Sequence, residues 1–225
     1  MSCAAWRYDY HVSAHPEISL AQRKRQLVAN ELTEAALQLL ALKGFDAVTI
    51  DEIVATAGVS KRTFFRYFAS KEDVVVQFLA DMGIGMHAEL AARPIEERPS
   101  VALQHAVWVS MAACGDPSDR ALRVVQLILR TPALHARFLE RQAQWRDDLT
   151  AELARRLKID PDTDLYPQLA AGMALTAFGA VLQRWSSSEG AEDPAELTDR
   201  AFEVIAPALD AVERRASPGY MPHGV

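Results

Sequence analysis

Between Ser60 and Lys71 the chain reads Ser-Lys-Arg-Thr-Phe-Phe-Arg-Tyr-Phe-Ala-Ser-Lys, and this stretch holds the side chains best suited to chemistry. Lys61, Arg62 and Arg66 are cations of long reach, with the hydroxyls of Thr63 and Tyr67 among them. Arg and Lys can meet guanine O6 and N7 in a major groove, while hydroxyls and helix N-termini bind phosphate oxygens. Phe64 and Phe68, four residues apart, share one side of a helix and can anchor it while the polar side reads a groove. The chemistry this mixture serves is recognition of double-stranded DNA. No nucleophile elbow, phosphate-binding glycine loop or paired catalytic acids occur, so an enzyme is not expected. His87, His105 and His135 lack a metal-ligand spacing, so neither a metal nor a cofactor is expected. Cys3 and Cys114 lie far apart; Cys114 reads as a small core residue, with thiol sensing as the alternative.

The elements that must position these groups are helices. From Leu20 to Lys43, Val28, Leu32, Ala35, Ala36, Leu39 and Leu40 recur at three- and four-residue spacing, and Gly44-Phe45 predicts a left-handed C-terminal cap. Thr49 followed by Glu52 is a capping box, and Ile50, Ile53, Val54 and Ala57 give the next short helix an inner face. Gly58 breaks that helix, Val59 plugs the turn and Ser60 caps a second short helix to about Phe68. Helix, tight turn and short basic helix form a helix-turn-helix. Ser70 with Asp73 starts a helix through about Ala92. Beyond it, helices are predicted over 101–114, 118–130, 132–157, 163–187 and 194–215, with loops at Pro94–Pro99, Gly115-Asp116-Pro117, Asp160-Pro161-Asp162 and Ser186–Asp193. No period-two strand pattern of any length appears, so the fold is expected to be all-α with about nine helices.

Charge divides the chain. The net charge is −6, yet residues 20–72 carry eight Lys/Arg against six acids, while residues 73–225 carry fifteen against twenty-two. Two modules with different partners fit this asymmetry. The expected organisation is a flexible arm over 1–19, a DNA-binding domain over 20–70, an effector-binding and dimerisation domain over 71–215, and a disordered tail over 216–225. No apolar run of 18 or more residues argues for a membrane span, and the first 20 residues form no signal peptide; a cytoplasmic protein is expected.

The stretch Thr49-Ile50-Asp51-Glu52-Ile53-Val54-Ala55-Thr56-Ala57-Gly58-Val59 and its continuation through Ser60-Lys61-Arg62-Thr63-Phe64-Phe65-Arg66-Tyr67-Phe68-Ala69-Ser70-Lys71-Glu72 resembles the signature of TetR-family transcriptional regulators, over roughly residues 22–75. The resemblance implies that Thr49, Ser60, Tyr67 and Lys71 hold the phosphate backbone, and that Lys61, Arg62 and Thr63 face base edges. Relatives commonly carry a tyrosine where Phe65 stands and a glycine where Arg62 stands. This chain therefore exchanges a hydroxyl contact for an apolar ring that can meet a thymine methyl, and adds a long cation. Arg66 can bind phosphate as well, and Arg25, with Arg23 and Lys24, lies where relatives touch the minor groove or flanking phosphates. Each of these residues also has a plainer reading, as a helix cap or a solvated charge.

Family members act as dimers on (pseudo)palindromic operators. Small residues at Ala170, Ala174 and Ala177, and at Gly172, Thr176 and Gly179, let helices approach closely; with Leu197, Ala201, Val204, Ile205 and Leu209 they are expected to form a four-helix interface. The alternative is that this strip packs inside one subunit. Met82, Met86, Trp108, Met111, Phe138, Trp145, Met173 and Phe178 are mostly core-like, and a subset is expected to line a cavity for a hydrophobic effector. The segments around Gln144-Trp145-Arg146 and Pro167–Gly172 loosely resemble a TetR subgroup that includes mycofactocin-system regulators and binds acyl-CoA-like ligands. That likeness implies an acidic head group that Arg123, Arg130, Arg137 or Arg141 could neutralise. Together these implications describe a ligand-released repressor. An activator of the same family, or a helical adaptor that no longer reads DNA, are the alternatives.

Overall fold

The computed structural model describes residues 19–113 and 119–211, with the side chains of residues 112 and 113 left aside. The arm expected before Ser19, Cys114 with its following turn, and the tail over 216–225 lie outside the described residues. Nine helices are present among the described residues, with no strand.

The first, α1 (Leu20–Lys43), begins on a capping box that the periodicity had not flagged: Ser19 Oγ accepts from Gln22 N, and Gln22 reaches back to Ser19 N. Gly44 has φ +86°, but its ψ of 160° places it in the extended mirror region rather than in the left-handed helical cap expected from the sequence. Only glycine holds that conformation cheaply, and from there Gly44 N still donates to Leu40 O at 2.9 Å. The chain then leaves extended, and Phe45 packs on the core.

Thr49 caps α2 (Ile50–Thr56) with the predicted Thr49–Glu52 capping box. Gly58, at φ +66°, turns the chain into α3 (Lys61–Tyr67), capped by Ser60 Oγ on Thr63 N. The long α4 (Lys71–Ala92) starts on Ser70, whose Oγ accepts from Asp73 N while the Asp73 carboxylate accepts from Ala69 N. Caps of this kind contribute about 1 kcal/mol each. Three of them in so short a segment hold the head compact.

The remaining helices are α5 (Pro99–Ala113), α6 (Asp119–Arg130), α7 (Pro132–Leu157), α8 (Tyr166–Ser187) and α9 (Pro194–Leu209). Pro99, expected in a loop, is instead the first residue of α5, where a missing N–H costs nothing. The eighth helix starts at Tyr166 rather than at 163. Residues before it form a turn in which Thr163 N and Asp164 N both donate to Asp160 O, and the Asp164 carboxylate accepts from Tyr166 N. The ninth ends at Leu209, and the part of it expected over 212–215 lies outside the described residues; Asp210 accepts from Ser100 N and Oγ, tying the end of α9 to the start of α5.

α4 is the hub. It packs on α1 below and on α5 and α7 above. It is long and apolar enough, by length and composition, to cross a membrane, but Val74, Val75, Phe78, Leu79, Met82, Met86 and Leu90 are buried against its neighbours, as in a core helix. Its C-terminus is held by Arg156 of α7, a buried guanidinium donating to Leu90 O at 2.9 Å, Arg93 O at 2.8 Å and Pro94 O at 2.6 Å. α1 also touches α6, where Arg120 pairs with Glu34 and its guanidinium holds the Glu34 carboxyl below the usual range.

Candidate nucleic-acid interface

The second short helix presents two faces. Phe64 and Phe68 are buried, their ring centroids 5.6 Å apart, and they fix α3 to the core formed by Leu32, Leu40, Val48 and Ile53. On the other side Ser60, Arg62, Thr63, Phe65 and Arg66 border one open concavity. Phe65, 52% exposed, stands edge-on to Phe64 and offers its ring to solvent. An exposed aromatic ring among cations fits a groove that supplies both thymine methyls and phosphates.

The cations of the head are not equivalent. Arg62 is exposed and has no hydrogen-bond or ion-pair partner among the described residues. Lys61 Nζ lies 3.0 Å from Asp51 on α2. Arg66 donates to Tyr67 Oη at 3.3 Å and stands 5.1 Å from the Tyr67 ring, while Arg25 reaches across from α1 to 5.8 Å from the same ring. Tyr67 thus gathers two guanidiniums from different helices at one edge of the head. Ser60 Oγ and Thr63 Oγ1 are 2.9 Å apart, so these two hydroxyls share a hydrogen bond in addition to the cap.

Thr49 and Lys71, expected on phosphates, are engaged within the protein. Thr49 Oγ1 accepts from Glu52 N and donates to the Glu52 carboxylate at 3.0 Å. Glu52 also accepts from Lys43 Nζ at 2.6 Å, and that contact, followed by the bonds from Thr49, pushes its carboxyl down to about 2. Lys71 Nζ donates to Phe45 O at 2.6 Å and Val48 O at 3.0 Å, with the Phe45 ring 4.5 Å away. One of the three ammonium protons remains for a phosphate. The geometry makes Lys71 a peg that fastens the start of α4 to the loop between α1 and α2. Neither Asp51 nor this peg was visible in the spacing, because both depend on segments meeting across the fold.

The residues considered for an effector cavity lie in or against the core. Met82, Met86, Met111, Phe138, Trp145 and Phe178 are buried, and Trp108 and Met173 are half-buried. Trp145 sits edge-on to Phe138 at 5.8 Å and to Phe178 at 6.5 Å, with its indole against the backbone of Gly83. A shallow cleft of about 240 Å³ does occur where the ends of α6, α7 and α8 meet, lined by Leu129, Arg130, His135, Gln183, Ser186 and Ser187.

The fold divides the expected dimer strip into an inward and an outward part. Ala170, Ala174 and Ala177 are buried inside the chain, as is Leu197, while Ala201 and Ile205 are half-buried and packed on the core. The outward row of α8 is Leu169, Gly172, Thr176, Ala180 and Gln183, continued by Leu165 at the N-cap. A Cβ added to Gly172 would meet nothing within 4 Å. On α9 the exposed large hydrophobic residue is Val204, 79% exposed. Helical periodicity places small residues on both sides of α8, and only the neighbours decide which side is inward.

Residues 32–78 match the tetR family of bacterial regulatory proteins, and residues 97–210 match the MftR C-terminal domain. The chain is 32% identical over 171 residues to the HTH-type transcriptional regulator TcmR of Streptomyces glaucescens, covering 73% of this chain and 75% of TcmR. It is 29% identical over 207 residues to the mycofactocin biosynthesis transcriptional regulator MftR of Mycobacterium tuberculosis, covering 88% of this chain and all of MftR, at 100%. Among solved structures, the transcriptional regulator FadR from Bacillus subtilis in complex with stearoyl-CoA superposes with a TM-score of 0.59 at 21% identity, covering 79% of this chain and 97% of FadR. A tetR-family regulator from Streptomyces coelicolor gives 0.58 at 18% identity, covering 85% and 84%. At these identities the two structures speak for the fold.

Proposed function

Because this chain belongs to the TetR family of bacterial transcriptional regulators, we propose that it is a cytoplasmic, ligand-released repressor that grips a (pseudo)palindromic operator as a homodimer. The observation that carries the reading is the two-faced α3, with Phe64 and Phe68 buried behind an exposed surface of Arg62, Thr63, Phe65 and Arg66. In this reading Arg62, Lys61 and Thr63 meet base edges and Phe65 a thymine methyl. Ser60, Tyr67, Arg66 and Arg25 follow the phosphates, and Lys71 offers its remaining proton there; Thr49 joins them only by turning its hydroxyl proton from Glu52 to a phosphate.

One short helix reads few base pairs, so specificity requires two heads at a fixed separation. The surface that suits a second copy is the outward row of α8 around Leu169, Gly172 and Thr176, with Val204 of α9 beside it. Its residues are small or apolar and face outward, with the Thr176 hydroxyl turned back onto Gly172 O at 2.8 Å, in contrast to the inward alanine row.

The effector is a hydrophobic molecule, an acyl-CoA-like amphiphile being the class that suits both the likeness to FadR and the cleft at the ends of α6–α8. Arg123, Arg137 and Arg141 are engaged by Asp119, Glu140 and Gln144 on their own helices. Arg130 instead faces the cleft beside His135 and donates only a long 3.5 Å bond to Ser186 O. The acyl part enters by parting Met82, Met86, Phe138 and Phe178. Because α4 runs from this core to the Lys71 peg, a ligand that favours a tilted α4 moves the heads out of register. It shifts the equilibrium only by its differential affinity for the two arrangements.

The test is selection of bound sequences from a random duplex pool, followed by footprinting upstream of the protein's own gene and titration with stearoyl-CoA. Enrichment of a two-fold-symmetric site that stearoyl-CoA releases supports the proposal. A purified protein that enriches no sequence, even at low salt, refutes it.

A further inference from the structure

One acid of the head meets a cation of the reading helix. Asp51, in the first turn of α2, has both carboxylate oxygens 3.0 Å from Lys61 Nζ at the start of α3. The other first-turn acid, Glu52, is turned away to Thr49 and Lys43. The side chains of Lys61 and Asp51 are 53% and 72% exposed, so the pair sits in water and adds little to stability. It therefore does not explain itself as a structural bond. Its effect lies in what it does to Lys61.

A lysine is a compact charge on a flexible four-carbon stem, and an unrestrained one at a DNA surface goes to the nearest phosphate. Phosphate contacts carry affinity without sequence information, whereas contacts to base edges carry the information. With eight cations against six acids over residues 20–72, a single carboxylate set against the start of the reading helix is a large fraction of the local balance. We propose that Asp51 is a positioning and specificity-determining residue: it tethers Lys61, withholds it from phosphates and leaves it directed to the groove. Asp51 thereby lowers binding to arbitrary sequences more than binding to the operator.

This inference rests on the proposed role of α3 as the reading helix, and the experiment separates the two. Affinity for the selected operator and for a scrambled duplex is measured as a function of salt for the wild-type protein, Asp51→Asn, Asp51→Glu, Lys61→Met, Arg62→Ala and the Asp51→Asn/Lys61→Met double variant. Asp51→Asn is expected to tighten scrambled-duplex binding several-fold, to steepen its salt slope by about 0.9, the value for one added phosphate contact, and to leave operator affinity within about twofold. Asp51→Glu should restore the wild-type ratio. In the Lys61→Met background the effect should largely vanish, since Asp51 acts through Lys61. An unchanged scrambled-duplex slope in Asp51→Asn, or a full effect without Lys61, overturns the tether while leaving DNA reading intact. Wild-type and Arg62→Ala proteins that bind the two duplexes alike overturn the DNA-reading role itself, and the tether with it. Unfolding midpoints of the Asn and Glu variants should match the wild type, because the Thr49 cap and the Lys43–Glu52 pair are untouched.

Discussion

Replacing Gly83 with alanine tests how the helix that carries the reading head is seated on the effector core. Gly83 lies inside α4, where alanine is ordinarily preferred by up to about 1 kcal/mol. Here a Cβ would fall closer than 3.0 Å to both Cδ1 and Nε1 of Trp145 and 3.3 Å from Cγ. The indole cannot swing aside, because it is buried between Phe138 and Phe178. Relief therefore requires the α4 and α7 backbones to separate by about 1 Å, the kind of overpacking that costs about 1–3 kcal/mol. Overlap outweighs propensity, and a net loss of about 1–2 kcal/mol is expected from these two opposing terms. Gly85, two residues on, is the control: its Cβ would meet Val109 Cγ1 at an ordinary 3.6 Å, so Gly85→Ala should be neutral or stabilising. Urea unfolding at fixed protein concentration, read as a shift of midpoint at constant slope, measures both. Truncating Trp145 to leucine should remove the penalty of the Gly83 change, giving a favourable coupling in the double-mutant cycle. A Gly83→Ala protein as stable as Gly85→Ala would refute the close seating of α4 on α7.

The head should lose stability as pH falls from about 4.5 towards 2. Glu52 has its carboxyl pushed below its ordinary 4.5 to about 2 in the folded state, so its contribution is fully present above the unfolded value and disappears as pH drops through the folded one. Glu52→Gln should flatten that part of the profile of urea midpoint against pH. Arg156→Met leaves the carbonyls of Leu90, Arg93 and Pro94 without their buried donor and should destabilise the fold by about 3 kcal/mol, read by the same unfolding assay. Gly172→Arg should fold normally, since its side of α8 is open in the single chain, yet sediment as a monomer and lose operator affinity; an unaltered dimer would exclude this face as the interface.

Helix positions were largely legible from spacing. The α1, α4 and α7 boundaries follow from apolar periodicity closed by local signals: Gly44 after α1, Ser70 with Asp73 before α4, and Thr131-Pro132 before α7. These signals are local because a cap or a turn is satisfied by residues a few positions away. The same is true of the reading helix, where Phe64 and Phe68 must point one way and Arg62, Phe65 and Arg66 the other. The sequence also overstated some ends: α8 begins later because the carboxylates of Asp160 and Asp164 organise a turn in place of the first helical residues.

What the residues determined by themselves is therefore the all-helical fold and the caps, turn and aromatic anchors that build the reading head. Tertiary structure decided the rest, because it concerns which faces and charges meet across long separations. It turned the alanine row of α8 inward and left Gly172 and Thr176 outside. It packed the residues expected around an effector into core, with the Trp145 indole on Gly83. It bound Lys71 to two carbonyls of the loop after α1, and it set Asp51 against Lys61. A periodic pattern names a helix face but not its neighbour, and a charge in a sequence has no partner until the fold supplies one.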